Sequence, residues 1–150
     1  MKYYDDCLQQ IISNNIKIMT KKHNYYLYLA SLNAYKSNMN KNYGAVLVCN
    51  NKIIGVGHNH SIDYVPQRYN YICKDRKQMQ NIHAEYDAIL NAIKNGNKKL
   101  ISKSDIYISR VLNNYDININ KEIIFQKAIP CEKCKQIIEK YNIKKTYYIY

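Results

Sequence analysis

Ile82-His83-Ala84-Glu85-Tyr86-Asp87-Ala88-Ile89, taken with Pro130-Cys131-Glu132-Lys133-Cys134 farther along the chain, decides how the rest of this sequence is read. The two runs supply one imidazole, two thiols and one spare carboxylate. A catalytic zinc takes three protein ligands and keeps a fourth position open for water. The bound water then needs a proton shuttle that is not itself a ligand. His83, Cys131 and Cys134 suit the first requirement, and Glu85 suits the second.

Each run falls where a helix is expected to begin. Ala84, Ala88, Ile89, Ala92 and Ile93 recur at a 3.6-residue period, which predicts a helix from His83 to about Asn95 with Gly96 as a C-cap. Pro130 precedes a second helix from Cys131 to about Tyr141, with Ile137, Ile138 and Tyr141 turned to the core. Helix starts carry unpaired amides and partial positive charge, which favours thiolate over thiol. Residues i and i+2 of a regular helix point roughly 200° apart. Glu85 is therefore not expected to join His83 as a ligand, but from a frayed first turn it can reach the bound water. A lone C-x-x-C reads equally well as a structural half-site or a redox pair, and a lone H-A-E says almost nothing. Together, with a strand between them, they favour a catalytic zinc over a structural zinc closed by a fourth ligand such as His58.

Outward from these motifs, Gly44-Ala45-Val46-Leu47-Val48-Cys49 is a nearly continuous apolar run, as expected of a strand buried on both faces. Asn50-Asn51 can take the positive φ of a tight turn, and Lys52 to Val56 is the returning strand. Asp105 to Val111 and Lys144 to Tyr150 read as two more strands. Helices lying between strands imply crossovers and parallel pairing for these later strands. Upstream, Leu8, Ile11, Ile12, Ile16 and Met19 predict an N-terminal helix. Lys21-Lys22-His23-Asn24 reads as a break, and a second helix is expected from about Tyr25 to Lys36. Asn59 to Ile82 and Leu112 to Lys127 are excursions without clear periodicity, the latter a loop or short hairpin. The expectation is one domain over residues 1–150, with N-terminal helices in 1–42 and a core in 43–150.

The 150 residues are 47% hydrophobic with only 4 Gly and 2 Pro, so a folded globule with a real core is expected. No apolar run is long enough to span a bilayer, and the N-terminus has acids where a secretory signal would be apolar. Five cysteines, two of them in C-x-x-C, argue for a reducing, cytoplasmic setting with free or metal-bound thiols. Cys49 reads as a small core residue. A second, structural metal on Cys73 with His58 or His60 lacks any tight ligand spacing. The net charge of +12 invites a nucleic-acid reading. Against it, Lys, Asn, Ile and Tyr all have codons rich in A and T, and the only arginines are Arg68, Arg76 and Arg110. A solvated basic surface is the favoured reading.

The stretch from Gly44 to Tyr150 resembles the cytidine and deoxycytidylate deaminase superfamily of zinc-dependent nucleobase deaminases. The resemblance rests on Gly44 to Val48 with Ile54-Gly55-Val56-Gly57-His58-Asn59, on Ile82 to Ile89, and on Pro130 to Cys134 with Ile137-Ile138. It implies a three-layer α/β/α sandwich around a mixed sheet of four to five strands. It implies one catalytic zinc ion (Zn2+) on His83, Cys131 and Cys134, with Glu85 carrying protons. Asn59 matches the Asn that contacts the substrate sugar in deoxycytidylate and transfer-RNA adenosine deaminases, its other reading being a plain turn residue. Ala84 would bind the base edge through its backbone amide. The implied activity is hydrolytic deamination of a cytosine nucleoside or nucleotide, deoxycytidylate favoured by the long 60–82 insertion. A deaminase acting on RNA or single-stranded DNA, and a non-catalytic zinc-stabilised binding module, are the alternatives. A small-molecule substrate, no membrane and a homo-oligomer by analogy complete the expectation.

Overall fold

In the computed structural model, which describes residues 20–61, 81–112 and 125–149, the run from Gly44 to Cys49 forms most of a strand, β1 (Asn42–Cys49), buried on both faces. Its alternate residues feed two separate cores. Ala45, Leu47 and Cys49 enter one, while Val46 and Val48 enter the other. Asn50 (φ 49°) and Asn51 (φ 63°) turn the chain through two left-handed residues, which is the hairpin geometry that Asn tolerates. The chain returns as β2 (Lys52–His58), antiparallel to β1 from Cys49↔Lys52 to Gly44↔His58.

A two-stranded ribbon follows, β3 (His60–Ser61) with β4 (Asn81–Ile82). Next come helix α2 (Ala84–Lys94), a 3₁₀ segment (Lys98–Lys103) and β5 (Asp105–Val111). The chain ends with β6 (Phe125–Gln126), α3 (Glu132–Lys140) and β7 (Lys145–Tyr148). Helix α1 (Lys21–Ala34) precedes them all. The sheet runs β2-β1-β5, and the far edge of β5 is shared. Asp105 to Ile108 pair in parallel with β7, whereas Arg110 and Val111 pair antiparallel with β6. Five strands thus make one mixed sheet, with α1 on one face and α2 and α3 on the other, as the three-layer expectation required.

Three sequence expectations are corrected or refined. Parallel pairing holds for β5 with β7, but β5 lies antiparallel to β1. The α2 crossover passes over β1, so β5 is parallel to β2 without touching it. Lys21 to Asn24 do not break a helix; they form the first turn of α1, because Thr20 caps it by accepting the His23 N–H. The excursion after Leu112 includes the short strand β6. The expected helix over Leu8 to Met19 lies outside the described residues.

The layers are held close by small residues. A Cβ on Gly44 would collide with the backbone of Ala30 and Ala34 in α1. A Cβ on Gly55 or Gly57 would collide with the backbone of Ala84, Ala88 or Ala92 in α2. Helix α2 therefore rides against β2, and polar side chains of the helix and of the turn after it serve the strand's outer edge. The Asn91 carboxamide accepts the Val56 N–H at 3.0 Å, Asp87 accepts the His58 N–H at 3.0 Å, and Asn97 donates to the Ile54 carbonyl at 3.0 Å.

Candidate active site

Helices α2 and α3 pack side by side on the same sheet face and start at the same end. His83 is the N-cap of α2, in extended conformation (φ −80°, ψ 152°), with no side-chain cap bond of its own. Cys131 is the N-cap of α3, also extended (φ −69°, ψ 166°), and Cys134 lies one turn in. His83 Nδ1 is 3.4 Å from Cys131 Sγ and 3.3 Å from Cys134 Sγ, and the ligating atoms of all three lie within 4.8 Å of one another. Tetrahedral zinc with ordinary Zn–N and Zn–S bonds would separate nitrogen and sulfur by about 3.6 Å. Among the described residues no fourth His, Cys, Asp or Glu joins this group.

The chemistry of the cluster asks for a cation. Cys134 is buried, and burial pushes its thiol far above the ordinary range. The neighbouring Glu85 carboxylate and Cys131 add to that push, and both are hydrogen-bond partners of Cys134. Every charged neighbour acting on this thiol is thus anionic when ionised. A divalent ion between the three donors would reverse the balance and hold both sulfurs as thiolates. The residues fit zinc.

Glu85 is only 5% exposed, in the first turn of α2. The extended His83 removes the opposition that a regular helix would impose between positions 83 and 85. Glu85 therefore stands beside the donor group without belonging to it, and it lines the same cavity as His83, Ala84 and Cys131. That cavity has a volume of about 490 Å³. Ala84 is fully buried at the first helical position, where its N–H lies among those without a partner inside the helix.

Asn59 follows β2 and also lines the cavity. Its carboxamide oxygen accepts the Tyr43 N–H at 2.8 Å, and its nitrogen donates to the Lys41 carbonyl at 2.6 Å. These two bonds fix which way the amide points. One N–H and one lone pair remain to face a ligand. His58 is not part of the donor group. Its backbone N–H donates to Asp87, its Nδ1 is 3.9 Å from that carboxylate, and its ring is 5.2 Å from that of His60. Burial lowers its pKa, and Asp87 only partly offsets this. Cys73 lies outside the described residues, and Cys49 is a buried core residue as expected.

Sequence reasoning missed the opposite wall, where Asn38, Asn40, Lys41, Ser61 and Asn81 line the cavity. Asn38 and Ser61 exchange two hydrogen bonds (3.1 and 3.2 Å), tying the segment before β1 to the ribbon. The only available signal was the hairpin register, which brings residues just before β1 beside those just after β2.

A three-layer sandwich with these donors and an acid at paired helix starts is the architecture of nucleotide and nucleobase deaminases. The model of the cytidine and deoxycytidylate deaminase zinc-binding region matches residues 20–150, and the chain belongs to this family. Among solved structures it is similar to the dCMP deaminase of the cyanophage S-TIM5. They share 21% identity over 87% of this chain and 84% of that one, with a TM-score of 0.53. It is also similar to the guanine deaminase of Bacillus subtilis, with 20% identity over 84% of this chain and 62% of that one, and a TM-score of 0.50. At such identities the likeness is one of fold. No curated protein matches the sequence. Among the described residues, no helix is long and apolar enough to cross a membrane.

Proposed function

We propose that this protein is a zinc-dependent hydrolase that deaminates a cytosine nucleoside or nucleotide, deoxycytidylate foremost, to the uracil product and ammonia. The observation that carries this reading is the position of Glu85, a buried acid that touches the donor group, stays outside it and faces the cavity. A structural metal site has no use for such a residue.

His83, Cys131 and Cys134 would hold one zinc ion. Bound there, zinc lowers the pKa of water toward ~7 and so makes hydroxide available at neutral pH. Glu85 takes the proton from the attacking water as oxygen bonds to C4 of the base. The same carboxyl then protonates N3, takes the remaining proton of the new C4 hydroxyl and passes it to the amino group, so that the C4–N bond breaks, ammonia leaves and the C4 carbonyl of the uracil product forms. Ala84, through the backbone N–H that has no partner inside its helix, holds the polar edge of the base. Asn59, rigidly aimed by Lys41 and Tyr43, offers its remaining donor and acceptor to the sugar.

The test is ammonia release from the zinc-loaded protein, offered cytosine nucleosides, nucleotides and short single strands in turn. Turnover of deoxycytidylate or cytidine that added oligonucleotide does not inhibit is the expected result. Turnover of none of them would leave only the binding-module reading. Turnover of single strands alone would transfer the chemistry to a polynucleotide substrate. We take residues 1–150 as one deaminase domain of the cytoplasm. The exposed Tyr25 and Leu32 of α1 offer apolar surface for a homo-oligomer.

A further inference from the structure

Besides the metal-type donors and Glu85, the cavity is lined by polar groups of a particular kind. Asn38, Asn40, Asn59, Ser61 and Asn81 supply amides and a hydroxyl, and Lys41 supplies an ammonium group. Among the described residues Glu85 is the only carboxylate in the lining, and the proposed function uses its charge for proton transfer. Lys41 is exposed and has no ion-pair partner among the described residues. A second cation stands directly behind the wall. Arg110 on β5 is the register partner of Tyr43 on β1, and its guanidinium carbon lies 5.6 Å from the centroid of the Tyr43 ring. Among the described residues the Nε of Arg110 is buried without a hydrogen-bond partner, and no carboxylate pairs with the guanidinium. Tyr43 itself lines the cavity. A guanidinium left without an anion in a partly buried place is unfavourable unless a ligand brings one.

The Lys41 backbone is not free to wander. Its carbonyl accepts from Asn59, and the Asn38–Ser61 pair secures the same segment from the other side. The ammonium is thus carried on a fixed stretch of chain at the cavity wall. Amides and one ammonium around a common space make a set of donors suited to phosphate oxygens.

We infer that the cavity is built for a nucleoside 5′-monophosphate, with Lys41 as the residue that selects the phosphorylated substrate over the free nucleoside. Arg110 supports the same preference through space, from behind Tyr43, without contacting the ligand. The inference rests on the deaminase reading and sharpens its substrate class.

Binding is the direct test, because it does not depend on turnover. Titration calorimetry on the zinc-loaded protein compares deoxyuridine 5′-monophosphate with deoxyuridine. The monophosphate is expected to bind about tenfold more tightly or better, as one charge-assisted contact would give. That advantage should shrink as salt rises. Lys41→Ala should remove most of the advantage, and Lys41→Arg should keep it. With deoxycytidylate as substrate, the Lys41→Ala defect should appear chiefly in KM. Equal affinity for the two ligands in the wild type, or an undiminished preference in Lys41→Ala, overturns the inference. So does a short deoxyuridine-containing strand that binds more tightly than the mononucleotide, since the phosphate recognised would then be a polymer's diester. A protein that prefers the monophosphate but deaminates nothing defeats the proposed function and leaves this inference standing. One that deaminates nucleoside and nucleotide equally well, and binds both alike, does the reverse.

Discussion

At the scale of single residues, Glu85 and Cys134 carry different burdens and should fail differently. Glu85→Gln keeps the shape of the side chain and leaves all three donors in place. It should retain zinc and fold while losing roughly 10²-fold to 10⁴-fold in turnover, as loss of a general acid–base does. Ammonia release beside elemental analysis checks both halves. Cys134→Ala should lose the metal together with stability, because zinc binding contributes folding free energy. Undiminished zinc content in that variant would contradict the assignment. His23 and His58 give a third expectation. Burial is the largest cause lowering both pKa values, so the unfolded chain takes up protons first as pH falls below the ordinary imidazole value of 6.5. Stability should therefore decline with acidity from that point, and His23→Gln should flatten the decline in a series of thermal melts. Of these residues, His83, Glu85, Cys131 and Cys134 were legible because their spacing relative to two helix starts is local information. Asn59 was only half legible. Its position at the end of β2 was readable, but the two bonds that orient its amide come from Lys41 and Tyr43, which no local pattern links to it.

At the scale of elements, the α2–β2 contact is the tightest joint near the site, and it positions His83 and Glu85. Gly57 has no room for even a methyl group beside Ala84 and Ala88. Gly57→Ala should cost about 1–3 kcal/mol by overpacking, measured by denaturant titration, and should weaken activity by displacing the start of α2. Asn91→Ala leaves the Val56 N–H without its partner and should cost about 1–3 kcal/mol. The sequence displayed both halves of this joint, glycines at 55 and 57 and alanines at 84, 88 and 92, without showing that they meet. Periodicity reports which face of an element is apolar, not which neighbour covers it. The same limit explains α1, whose first turn is set by the Thr20 cap rather than by any apolar pattern.

At the scale of the whole molecule, the sheet's layered plan was legible because β1 is apolar on both faces and helices alternate with strands. The strand directions were legible only in part. A helix between strands implies a crossover and parallel strands, but only the folded chain shows β1 inserted, antiparallel, between β2 and β5. The donor group joins the starts of two separate helices, so chelation should loosen that end of the fold, lower Tm and abolish turnover together, with zinc restoring both. The hydrogen bonds that Asp87, Asn91 and Asn97 make to β2 also have a bearing on how copies of this chain can meet. A bare outermost strand is an open template on which a second sheet can grow. Here that template is already partly capped from within, by the helix that carries the chemistry and by Asn97 just after it. A strand added along this border would first have to displace those side chains, and damage to them would turn a well-behaved protein toward aggregation.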